Sequence, residues 1–255
     1  PDGRDNNNMY GPDDGVDHGT HVAGITAAIG NNSAGIAGVS WNCSIMPVRV
    51  LDDEGEGTFV DIARGIVYSV DNGADVINFS FGGPYSIVFN DEIAYAHSHG
   101  VTVVAAAGNE DQDIDKDKVS PACNDNNGNQ VICVAATDKN DKKTSFSNYG
   151  QTFVDVSAPG LSIISTLYYD PPFGFNDYYG YYSGPSMSAP VVSGLAALIK
   201  SHKPDISNAE IGQLIIEAAD NIDAENPGYA GRLGSGRINA FSAISAIVDE
   251  NMPVV

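Results

Sequence analysis

At 255 residues with 42% hydrophobic side chains, the chain is long enough to bury one large core and too apolar to be disordered. Twelve Lys and Arg against 33 Asp and Glu leave a net charge of −21, whose field repels nucleic acid and anionic membrane surfaces and excludes both as partners. No run of about 18 apolar residues is present to span a bilayer, and three cysteines, Cys43, Cys123 and Cys133, are too few for a disulfide scaffold.

Residues 1–17 are aspartate, asparagine and glycine with almost no apolar content, which predicts an exposed polar loop. His18 to Ile29 has helical apolar spacing through Val22, Ile25, Ala28 and Ile29, with Gly24 and Ala27 small enough for close packing. Ser44 to Val50 predicts a short buried strand. Thr58 to Asp71 predicts a helix capped by Thr58, with Phe59, Ile62, Ile66 and Val70 on one face. Asp75 to Ser80 is a second buried strand, stopped by Gly82-Gly83-Pro84. Asn90 to His99 is a helix closed by Gly100, and Val101 to Ala106 is a third strand. Asp111 to Lys118 alternates in charge and predicts a solvated loop. Cys123 and Cys133 flank a turn-rich stretch and are open to pairing or to burial as free thiols. Gln130 to Ala136 and Thr152 to Val156 predict two more strands. The tail from Asn208 to Asp249 is mostly helical, broken by Pro227 to Gly236. Six-residue strands alternating with longer helices predict an α/β fold: a doubly wound, mainly parallel sheet with helices on both faces, in a single domain over 1–255.

Three short motifs fall at strand-to-helix junctions, where such sheets form their clefts. Asp17-His18-Gly19-Thr20-His21 opens the first helix, Ala106-Ala107-Gly108-Asn109 follows the third strand, and Gly184-Pro185-Ser186-Met187-Ser188-Ala189-Pro190 opens a long small-residue helix. A serine at a helix start is by itself an N-cap as readily as a nucleophile. A histidine base, a serine nucleophile and an asparagine donor together are what acyl transfer requires. In this order the three motifs resemble those of the subtilisin-like serine proteases (subtilases, peptidase S8). The likeness continues through Asn78 to Gly83 and Thr144 to Gly150 and covers the chain from His18 onward.

The resemblance implies a secreted serine endopeptidase acting on polypeptides and made with an N-terminal prodomain. It implies His18 as general base, Ser186 as nucleophile and Asn109 with the Ser186 N–H as oxyanion hole. His21 reads as packing on the same helix. Ser80, Phe81 and Gly82 correspond to the strand that pairs with extended substrate. Phe59 and Ile62 correspond to a substrate side-chain pocket, or are one face of a packed helix. Catalysis needs no cofactor. The loop Gly30 to Ile36 resembles a structural calcium site through Asn32, Ala34 and Ile36, or is an ordinary glycine–asparagine turn. The aromatic stretch Tyr168 to Tyr182 is longer than the family's usual connection.

Two departures stand out. Pro185 replaces the threonine that usually precedes the serine. The family's triad aspartate ends an apolar strand ahead of the histidine, and no such run precedes His18. Asp2, Asp5, Asp13, Asp14 and Asp17 lie in the polar loop, and Asp17 adjoins His18 too closely to reach the far ring nitrogen. The expectation is a peptidase domain incomplete on its N-terminal side, with an unfilled slot where that strand belongs. The alternatives are an impaired or inactive subtilase-like domain that binds polypeptides, and a fragment without a stable fold.

Overall fold

The computed structural model describes residues 18–52, 55–125, 129–169, 171 and 176–248. In chain order the elements are α1 (His18–Ala27), α2 (Phe59–Asp71), β1 (Val76–Phe79), β2 (Gly83–Pro84), α3 (Phe89–Ser98), β3 (Thr102–Ala106) and β4 (Val119–Ser120). They are followed by β5 (Val131–Thr137), β6 (Val156–Pro159), β7 (Ile163–Thr166), β8 (Tyr179–Tyr182), α4 (Pro185–His202), α5 (Asn208–Glu217) and α6 (Ala240–Ser245).

The sheet has four parallel strands in the order β1-β3-β5-β6, with Val76 opposite Thr102, Val103 opposite Val131, and Val134 opposite Val156. Every residue of β3 and β5 is buried, as expected for strands covered on both faces. Alternation divides them. Val103 and Ala105 join Ile62, Ile66, Phe89 and Ile93 beneath α2 and α3. Val104 and Ala106 join Val192, Leu195, Ile199 and Ile215 beneath α4 and α5. Helix starts are set locally. Thr58 accepts the Asp61 N–H at 3.1 Å, and Ser207 with Glu210 forms a capping box ahead of α5. The helices of both faces and the parallel sheet match the sequence-based expectation.

The stretch Ser44 to Val50 does not form the expected strand. Val50 packs on α2, where Gly65 leaves room for its methyl group, but Ile45 and Met46 are 46% and 39% exposed. A strand needs a hydrogen-bonded neighbour, and among the described residues β1 is the last strand on this side of the sheet. A cavity of about 720 Å³, lined by Val48, Val50, Leu51 and α2, lies alongside. The fifth strand pairs over Val156–Pro159 rather than Thr152–Val156, because the Asp115 carboxylate takes the N–H groups of Gln151 and Thr152 at 2.8 and 3.0 Å. Asp113 binds Lys116 and Arg232, so the loop expected to be merely solvated fastens the tail to the sheet. Cys123 and Cys133 are buried free thiols, the first pushed up to about 11 by burial.

Candidate active site

Proline at the first position of α4 fixes φ where a missing N–H costs nothing. Ser186 follows in the first turn, so its backbone N–H has no acceptor within the helix. Pro190, four residues on, cannot donate to the Ser186 carbonyl. That carbonyl is satisfied instead by the Ser80 hydroxyl at 2.7 Å, and the Ser186 hydroxyl donates back to the Ser80 carbonyl at 2.9 Å. The two serines form a reciprocal clasp between the end of β1 and the start of α4. Behind it, Ser193 Oγ donates to Asn78 Oδ1 at 2.8 Å and Asn78 Nδ2 donates to Ser80 Oγ at 2.9 Å. Hydrogen bonding thus runs from the middle of α4 to its first turn. The resemblance through Asn78 to Gly83 assigns Asn78 no role. A polar side chain within an otherwise apolar strand was the available signal.

Asn109 follows β3 through Gly108, whose φ is +104°. Its amide lies against Gly184: a Cβ there would sit 3.2 Å from Asn109 Oδ1 and 3.6 Å from the Ser186 N. The absent side chain of Gly184 is therefore a small pocket edged by the asparagine amide and a free backbone N–H. The Asn109 oxygen, an acceptor, faces that gap; with the amide turned over, Nδ2 and the Ser186 N–H can both donate to an anionic oxygen there.

His18 opens α1, and burial, then His21, holds its imidazole below the ordinary histidine value. The single Ser186 hydroxyl proton points to Ser80, not to His18. Helix α1 is fixed to the strands that lead into Ser186. His21 is fully buried, its Nε2 lies 3.1 Å from the carbonyls of both Ile163 and Gly180, and its ring stacks on Tyr182 at 4.5 Å. Ser165 Oγ and Thr166 Oγ1 donate to the carbonyls of His21 and Thr20 at 2.7 and 2.8 Å, and Gly24 leaves space for both hydroxyls. Two carbonyl partners make Nε2 the protonated nitrogen of His21.

The other expected positions are dispersed. Ser80 is buried; Phe81 stands edge-on to Phe79 at 5.5 Å, and Gly82 is exposed. Ile62 is a core residue, whereas Phe59 is 40% exposed and edge-on to Phe89. In the Gly30 to Ile36 loop, Asn31, Ser33 and Gly35 all have left-handed φ, and Asn32 Oδ1 accepts the Ala34 N–H at 3.1 Å. A cavity of about 330 Å³ lies within this loop, lined by residues 30–37. The five aspartates of residues 1–17 lie outside the described residues.

The sequence profile described as the Subtilase family matches residues 2–236. A thermophilic serine proteinase of Bacillus sp. strain AK1 is 44% identical over 239 residues, covering 93% of this chain and 54% of that protein. Thermitase of Thermoactinomyces vulgaris is 43% identical over 91% of this chain and 76% of its own length. An extracellular protease of Xanthomonas campestris pv. campestris is 40% identical over 91% of this chain and 40% of its own length. The chain thus spans about half the length of two of these curated relatives. Among solved structures, a protease of Pseudoalteromonas arctica PAMC 21717 superposes with a TM-score of 0.79 at 36% identity, covering 92% of this chain and 73% of that one. With the profile match extending over nearly its whole length, this chain belongs to the subtilase family.

Proposed function

We propose that the chain is a serine endopeptidase in which Ser186 is the nucleophile, His18 the general base and Asn109 with the Ser186 N–H the oxyanion hole. The observation that carries this reading is the gap at Gly184, where the Asn109 amide, turned so that its Nδ2 donates, and a free helix N–H converge beside the Ser186 Cβ. Extended substrate pairs with residues 80–82. A substrate N–H that takes the Ser80 carbonyl competes with the Ser186 hydroxyl for it, releasing that proton to His18. Attack on the peptide carbonyl places negative charge between Asn109 and the Ser186 N–H. His18 then donates to the leaving amine and activates water for deacylation. A strand bearing a carboxylate for the second ring nitrogen of His18 adds to the open edge of β1. Such a carboxylate raises the imidazole pKa, so equal His18 titration with and without that strand rules it out.

The same parked proton favours a second reading, a polypeptide-binding domain without turnover. Hydrolysis of an unfolded polypeptide separates the two. Wild-type cleavage that falls by about 10⁶ in kcat in both Ser186→Ala and His18→Ala supports the peptidase; binding with no wild-type cleavage supports the binding domain. Asn32 and the carbonyls of Ala34 and Ile36 would hold a structural calcium ion, from which catalysis draws nothing. No described helix is long and apolar enough to cross a membrane, and secretion accords with the extracellular Xanthomonas relative.

A further inference from the structure

We propose that Asn148 is the positioning residue for the oxyanion donor Asn109, an inference that rests on the peptidase reading. The β3 strand ends its ladder when the Ala107 N–H donates to Val134 O at 2.9 Å, and the chain then turns through Gly108 to present an exposed Asn109. The loop on both sides of Asn109 is held by one side chain. Asn148 Nδ2 donates to Ala107 O at 2.9 Å and to Glu110 Oε2 at 2.7 Å. Its Oδ1 accepts from the N–H groups of Glu110 at 3.1 Å and Gln112 at 2.8 Å. Both amide protons and both lone pairs are used. Turning the amide over would set donors against donors, so the orientation is fixed by its partners.

The backbone around it is built to admit this side chain. Asn148 is fully buried, and its own N–H donates to Gly108 O at 3.0 Å. A Cβ at residue 108 would sit 2.4 Å from Asn148 Nδ2, so Gly108 is needed for the amide as well as for its positive φ. Asn148 is tied to the central sheet through Ser147, whose hydroxyl accepts the Ala136 N–H at 2.9 Å and donates to Asn148 O at 2.9 Å. The result is a rigid path from β5 to the loop that carries Asn109. Asn148 touches neither substrate nor Ser186; it acts through the loop.

A double-mutant cycle on kcat and KM for a peptide substrate tests this. Displacing an oxyanion donor by about 1 Å costs on the order of 10²-fold, so Asn148→Ala is expected to lower kcat by about that factor with KM within about twofold. In an Asn109→Ala background the same change is expected to cost less than about threefold, because the donor it positions is gone. A stabilising role alone lowers the unfolding temperature and leaves the two losses additive. Should Asn148→Ala fail to fold, Asn148→Asp serves in the same cycle: it keeps the shape, loses both donated hydrogen bonds, and faces Glu110 with a like charge. Pairing it with Glu110→Gln removes the like charge and remakes that contact with donor and acceptor exchanged, and is expected to recover part of kcat. Additive losses, or an unchanged kcat in Asn148→Ala, overturn the inference alone. A wild-type chain with no turnover overturns the peptidase reading on which it rests.

Discussion

Gly184 is fixed as glycine by its backbone. Its φ of +155° with extended ψ belongs to a region open essentially only to glycine. Its missing side chain is the space between the Asn109 amide and the Ser186 N–H. Gly184→Ala is therefore expected to lower kcat by about 10²-fold or more in the folded fraction, beyond any loss of folded protein measured by thermal unfolding. Normal turnover in a folded Gly184→Ala protein would show that the pocket does not receive the oxyanion. At this scale much was legible in the sequence. Serine at a helix start, proline at the first helical position and asparagine after a glycine each carry a local physical reason. Pro190 was equally legible as a break in the helical ladder, but not which group satisfies the carbonyl it leaves free. That partner, Ser80, is 106 residues away. Asn148 lies within Thr144 to Gly150, yet only the three-dimensional loop reveals its four amide hydrogen bonds.

Among the elements, β5 and β6 carry a buried charge at their margin. Asp155 accepts the Cys133 N–H at 2.8 Å, and burial raises its carboxyl from 3.8 to about 7, with the nearby Asp125 adding to the rise. An acid with a folded value above its unfolded one holds its proton more tightly in the native state. Stability from this group is thus full below about pH 4 and declines as pH rises toward about 7. Asp155→Asn should flatten that decline in denaturant unfolding measured from pH 4 to 8; an unchanged slope would remove Asp155 as its cause. The boundaries that sequence misread share one cause. Thr152 to Val156 has strand composition, but the Asp115 carboxylate takes the N–H groups of Thr152 and Phe153 and delays pairing to Val156. Ser44 to Val50 has strand composition without a strand beside it. Propensity describes a residue's preference, and pairing depends on partners far away in sequence.

The described residues form a parallel sheet between two apolar layers, and the groups proposed for the active site come from the ends of different elements. Asn109 follows β3, Ser80 follows β1, Ser186 opens α4 and His18 opens α1. The fold class was legible because buried strands and amphipathic helices alternate over most of the chain. Among the described residues β1 has no neighbour on its outer edge, and the expectation of a missing strand there rests on the polar character of residues 1–17 set against the family's strand. Helix α1 is held to the β7–β8 hairpin by His21, Ser165 and Thr166, and β8 leads directly to Ser186. The helices that carry His18 and Ser186 are thereby linked through hydrogen bonds that no periodicity or motif in the sequence reveals.

The most direct test is the rate of fluorophosphonate labelling at Ser186 as a function of pH, with the labelled residue located by mass spectrometry. Labelling requires a neutral His18, whose imidazole burial holds below 6.5. Labelling of Ser186 is expected to rise with pH as His18 loses its proton and to be lost in His18→Ala. Absence of label at Ser186, or labelling that persists unchanged in His18→Ala, would contradict this expectation.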